Sequence, residues 1–87
     1  MTALIAVAGH VLLTPVATAT TTATVTSAAP DRVCLAVTGG PADLCLDARH
    51  VDHLGLRGIA VATCTEVEHQ GRLVVAESLT RVSARAC

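Results

Sequence analysis

Apolar positions along this chain fall in short runs separated by turn residues, not in one long stripe. Leu4 to Ala8 is an apolar run ending at Gly9, which reads as a buried strand leading into a turn; Val11 to Leu13 continues it or forms a second strand edge. Pro15 suits the first turn of a helix, with Thr14 as its N-cap. From there to Ala29 the chain is almost all Thr, Ala and Val. Ala favours helix while Thr and Val oppose it mildly, so residues 14–30 read as a weak helix or a low-complexity loop. Pro30 ends whatever forms. Val33 to Val37 is a strand or the last turn of a helix, and Gly39-Gly40-Pro41 then breaks the chain. Leu44-Cys45-Leu46 reads as a short buried strand.

The pattern changes beyond Asp47. Leu56, Ile59 or Ala60, Thr63 or Cys64, and Val67 recur at three- and four-residue steps, which predicts a helix over 58–69 with Glu66 and Glu68 on its other face. Gly71 fits the left-handed position after such a helix. Leu73-Val74-Val75-Ala76 has no polar face and reads as a strand covered on both sides, hence a parallel sheet. The connection from 44–46 to 73–76 is then a right-handed crossover. Leu79, Val82 and Ala86 predict a final short helix with Arg81 and Arg85 on its solvent face. The expected fold class is α/β, a mostly parallel central sheet with flanking helices in a single domain over residues 1–87.

Composition narrows the functions. The 87 residues contain no Phe, Tyr or Trp, so the core is built from aliphatic residues and Cys. A formal net charge of -1 argues against nucleic acid or an acidic membrane surface as partner. Four cysteines (Cys34, Cys45, Cys64, Cys87) allow three disulfide connectivities. The apolar settings of Cys34, Cys45 and Cys64 favour reduced core thiols instead. Leu4 to Val16 followed by Ala17-Thr18-Ala19 has the look of a secretory signal, but no basic residue precedes Arg32, which favours the cytoplasm.

Over 42–77 the sequence resembles a STAS domain, the fold of bacterial anti-sigma-factor antagonists. The residues that carry the resemblance are Leu46-Asp47-Ala48-Arg49-His50-Val51-Asp52-His53-Leu54, then Gly55-Leu56-Arg57-Gly58-Ile59, then Gln70-Gly71-Arg72-Leu73-Val74-Val75. Val7-Ala8-Gly9-His10-Val11-Leu12-Leu13-Thr14 is similar to the family's first strand and turn. The resemblance implies a small α/β interaction module, not an enzyme, that docks on an anti-sigma factor or related kinase-like regulator. It implies no cofactor. The family's loop before the helix carries a phosphorylated Ser; here Leu56 or Arg57 occupies that position, so no phosphoacceptor is present. The implied contact residues are Asp47, Leu54, Gly55, Leu56, Arg57 and Gly58, with Leu56 as apolar anchor and Arg57 as charged contact.

Asp47 also has a purely local reading, as the cap of the loop that follows it. His50, His53 and Cys45 or Cys64 lack paired ligand spacing, so a metal centre is not expected. Glu66, Glu68 and Glu77 read as solvated charges. The competing reading of the whole chain is a small secreted protein stapled by disulfides and beginning after Ala19 or Ala29.

Overall fold

The computed structural model describes residues 17–87. The expectations for Leu4–Ala8, Val11–Leu13 and the Thr14-Pro15 helix start lie outside the described residues. The elements are β1 (Thr18–Ala29), β2 (Arg32–Val37), β3 (Leu44–Leu46), α1 (Ala48–Leu54), β4 (Cys64–Gln70), a 3-10 turn (Ala76–Ser78) and β5 (Leu79–Arg85). They form one five-stranded sheet in the order β3-β2-β1-β4-β5. Every neighbouring pair is antiparallel.

The expected parallel α/β sheet is therefore corrected to an antiparallel sheet with, among the described residues, one short helix. There is no helix over 58–69: 58–63 is a turn-rich loop and 64–70 is β4. Alternation explains it. Thr65, Val67 and His69 are buried while Glu66 and Gln70 are exposed, so the period that governs here is two. The 73–76 strand is likewise absent, and no crossover exists. Leu73 is 75% exposed, so an unbroken apolar run is not here a sign of double-sided cover.

The Thr-rich stretch is the longest strand. Thr18, Thr20, Thr22 and Thr24 point to one face, while Ala23 and Val25 are buried on the other. β-branched Thr suits a half-solvated pleated surface, and tertiary pairing outweighs the helix preference of the interspersed alanines. The expected C-terminal helix is β5 instead. The register slips between Glu68 and His69: His69 faces Leu79, whereas Glu68 faces Arg81, which leaves Thr80 as an extra residue. That bulge turns the step from Leu79 to Val82 into three residues and imitates a helical period. A second slip on β1 leaves Thr26 unpaired. Each extra Thr is tied across the sheet: Thr26 Oγ1 donates to Cys34 O at 3.2 Å, and Thr80 Oγ1 to Glu68 O at 3.1 Å.

The core lies on one face of the sheet. Val25, Val33, Leu35, Leu46 and Val67 pack there with Val51 of α1, Leu56 and Leu79. Thr65 is fully buried among them, and its hydroxyl donates to Ala23 O at 3.3 Å. The other face stays polar, with Thr20, Glu66, Glu68, Arg81 and Ser83 around one shallow hollow. An antiparallel sheet tolerates this one-sided cover.

All four cysteines are oxidised, which corrects the expectation of free thiols. Cys34 and Cys45 face each other directly across β2 and β3 and are joined. Cys64, at the start of β4, is joined to Cys87, with 5.9 Å between their Cα atoms. By the alternation of their strands, Cys34 and Cys64 are on the polar side. The bridge at Cys34 explains why β2 reads apolar on both sides: Cys34 is only 6% exposed there.

Candidate functional site

The residues implied as a docking loop sit at both ends of α1, but as helix caps. Asp47 is the N-cap, with φ -81° and ψ 179°, and its side chain accepts the His50 backbone N–H at 3.1 Å. That hydrogen bond holds the Asp47 carboxyl below its ordinary value of 3.8; the His50 side-chain contact and the charges of His50 and Arg49 act the same way, against a smaller desolvation effect. At the other end, Gly55 is left-handed (φ 70°) and donates to Asp52 O at 3.3 Å, while the Leu56 N–H donates to Val51 O at 2.9 Å. This pair of bonds is the Schellman closure of a helix.

The loop 55–58 thus ends a helix instead of opening one. Leu54 is half-buried against the core, and Leu56 is 3% exposed within it. Leu56 is already spent on the chain's own packing. Arg57 is exposed and ion-paired with Asp52, and a cation suits this C-terminal helix end. Gly58 (φ 85°) turns the chain so that Ile59 N–H reaches Leu56 O at 3.1 Å.

A different set of residues converges beside α1. His50 Nδ1 lies 2.8 Å from Asp47 Oδ1, and its Nε2 lies 3.3 Å from Glu77 Oε2 in the 3-10 turn. Arg49, His50, His53, Ala76, Glu77 and Leu79 line an open groove of about 380 Å³ there. His50 is mostly buried at its side chain, whereas both carboxylates are open to solvent.

Just before that turn, residues 71–75 present apolar side chains outward. Leu73 is 75% exposed and Val75 45%, while Val74 between them packs against the core. The backbone of this loop is pinned. The Gly71 N–H donates to Ala17 O at 2.9 Å. Ser78 Oγ accepts from Val75 N–H at 3.1 Å and lies 3.1 Å from Leu73 O and 2.8 Å from Val75 O. Sequence reasoning missed Leu73, Val75, Glu77, Ser78 and the pairing of His50. Leu73 and Val75 were hidden in a run that looks like a buried strand, and the partnership of His50 with Glu77 spans a separation no local pattern reports.

As for metal ligands, Cys34, Asp43 and Cys45 bring ligand atoms within 4.8 Å of one another, but both sulfurs are held in a disulfide and offer no thiolate. Besides Thr65, His69 is the buried polar residue among the described residues. It is 4% exposed, its Nε2 lies 3.5 Å from Thr21 Oγ1, and its Nδ1 has no partner among the described residues. Comparison with protein-family models, curated proteins and solved structures returns no match.

Proposed function

We propose that this chain is a small binding module of an oxidising compartment, held together by disulfides, that meets a protein partner through the apolar loop Leu73–Val75. The observation that carries this reading is the combination of 75% exposure at Leu73 with a backbone fixed by Ser78. Large apolar side chains on an ordered loop cost solvation in the free protein and gain it back on burial against a partner. Preorganisation reduces the entropy lost on binding.

Two further points support it. Disulfides persist in secreted and extracytoplasmic proteins and suit a small core without aromatics. A binding role also fits the engagement of His50, both of whose nitrogens face carboxylates. The anti-sigma-factor or kinase-like partner depended on a loop that opens a helix on a parallel sheet. Residues 55–58 close a helix on an antiparallel one, so they lend that partner no support.

The test is photo-crosslinking from two positions of the disulfide-intact protein. A photoreactive residue replaces Leu73 in one sample and Thr20, on the polar sheet face, in the other. Each is incubated with extracellular or periplasmic protein of the source cells. A discrete adduct from position 73, abolished by adding Val75→Asp, is the expected result. No adduct from 73, or the same adduct from 20, would overturn the reading.

A further inference from the structure

We propose that His50 is a proton-controlled clamp on the apolar loop: as an imidazolium it ties the 3-10 turn to α1, and on losing its proton it releases Glu77 and the base of the loop. The inference rests on the reading of Leu73–Val75 as the contact surface and concerns how that surface is regulated.

The geometry carries the argument. Both His50 nitrogens face carboxylate oxygens, at 2.8 Å and 3.3 Å. A neutral imidazole has one N–H, so it can donate to only one of them; its other nitrogen then sets a lone pair against an anionic oxygen. Both contacts are attractive together only when the ring is protonated.

Which contact survives deprotonation is decided by Asp47. Its Oδ1 already accepts the His50 backbone N–H at 3.1 Å as the N-cap of α1. It cannot retreat from the ring without uncapping the helix. The shorter contact is also the Asp47 one. The remaining proton therefore stays on Nδ1, and Glu77 faces a bare Nε2. Glu77, 76% exposed at its side chain, is free to turn into solvent.

The other groups around the ring are known. Arg49 and His53, from the same helix, line the same groove; the 3-10 turn contributes Ala76 beside Glu77, and β5 contributes the apolar Leu79. β2 and β3, which also contact α1, place Leu35 and Leu46 in the core with Val51. His53 lines the same groove and is separated from His50 by its own variant.

Release at Glu77 reaches the loop directly. Glu77 is the neighbour of Ser78, whose hydroxyl frames Leu73 and Val75. His is the side chain whose charge ordinarily changes between about pH 5 and about pH 8, so acidification across that range closes the clamp and alkalinisation opens it.

NMR of the full, disulfide-intact chain tests this without any partner. The ring signals of His50 and the amides of Leu73 and Val75 are followed from about pH 5 to about pH 8. The loop amides are expected to move with the midpoint of the His50 ring, and the neutral ring to carry its proton on Nδ1. Relative to its intrinsic rate at each pH, exchange of the Val75 amide is expected to speed up by up to about fivefold as the clamp opens, the scale of an exposed ion pair. Glu77→Gln should abolish the loop response while the His50 ring still titrates, and His53→Gln should leave the response intact. Loop amides that ignore pH, that still follow it in Glu77→Gln, or that lose it in His53→Gln would overturn the proposal. Because no partner enters, failure here leaves the crosslinking result standing, and failed crosslinking leaves this result standing.

Discussion

Truncating Leu56 and Leu73 separately to Ala distinguishes a leucine that holds the fold from one that is offered to a partner. Leu56 is 3% exposed and sits in the core beneath the closed end of α1. Removing a buried leucine's side chain loses its transfer free energy and leaves a cavity, about 2–5 kcal/mol together. Leu73 is 75% exposed, so at most a quarter of its side chain has been taken from water. Full burial of such a side chain is worth about 1.5–3 kcal/mol, so Leu73→Ala should cost no more than about 0.4–0.75 kcal/mol. For 87 residues the total stability is expected near 4–13 kcal/mol at about 0.05–0.15 kcal/mol per residue, so Leu56→Ala removes a large share of it. Equilibrium urea unfolding with disulfides intact is the assay. With a slope near 1 kcal/mol/M, Leu56→Ala should lower the midpoint by about 2 M or more, and Leu73→Ala by less than about 0.75 M. A Leu56→Ala cost under about 1 kcal/mol, or a Leu73→Ala cost above about 1.5 kcal/mol, would refute the assignment of these two roles.

The same geometry sets the outcome of other perturbations. Cys64→Ala with Cys87→Ala opens a loop whose ends are 23 residues apart; chain entropy puts the cost near 3 kcal/mol, read from the same urea transition. Asp47→Ala should destabilise the protein at neutral pH by uncapping α1. Because the folded-state pKa of Asp47 is lowered, its contribution is present above the ordinary value of 3.8 and fades as pH falls through the lower folded value; the gap between the two proteins should close in that acid range in pH-dependent thermal melts. Gly55→Ala places a Cβ in open space but forces a left-handed backbone on Ala (φ 70°), so the cost should be about 1 kcal/mol, with the α1 boundary shifting in NMR chemical shifts.

The parts of this fold legible in the sequence are those where pattern and environment agree. Leu44–Leu46 is the predicted strand, and Val33–Val37 takes the strand alternative. Asp47 is a cap, but of a helix that begins at Ala48, where the sequence predicts a loop. The rest was obscured for specific reasons. β1 contrasts Thr with Ala and Val, a polarity difference too small to display its alternation. At β5 the extra Thr80 breaks a period of two and makes Leu79 and Val82 look helical. α1 has seven residues with only Val51 fully buried, too few to show a helical stripe. Among the candidate site residues, the sequence placed Asp47 and 54–58 close together along the chain. It could not show that these are the two ends of one helix, nor that Leu56 turns inward while Leu73 turns out.

Peptide mapping of the unreduced protein under thiol-blocking conditions tests the central claim, a disulfide-stapled antiparallel sheet, most directly. The account predicts two linked pairs, Cys34–Cys45 and Cys64–Cys87, and no blocked thiol. Four blocked thiols, or a bridge joining either member of the first pair to either member of the second, would contradict it.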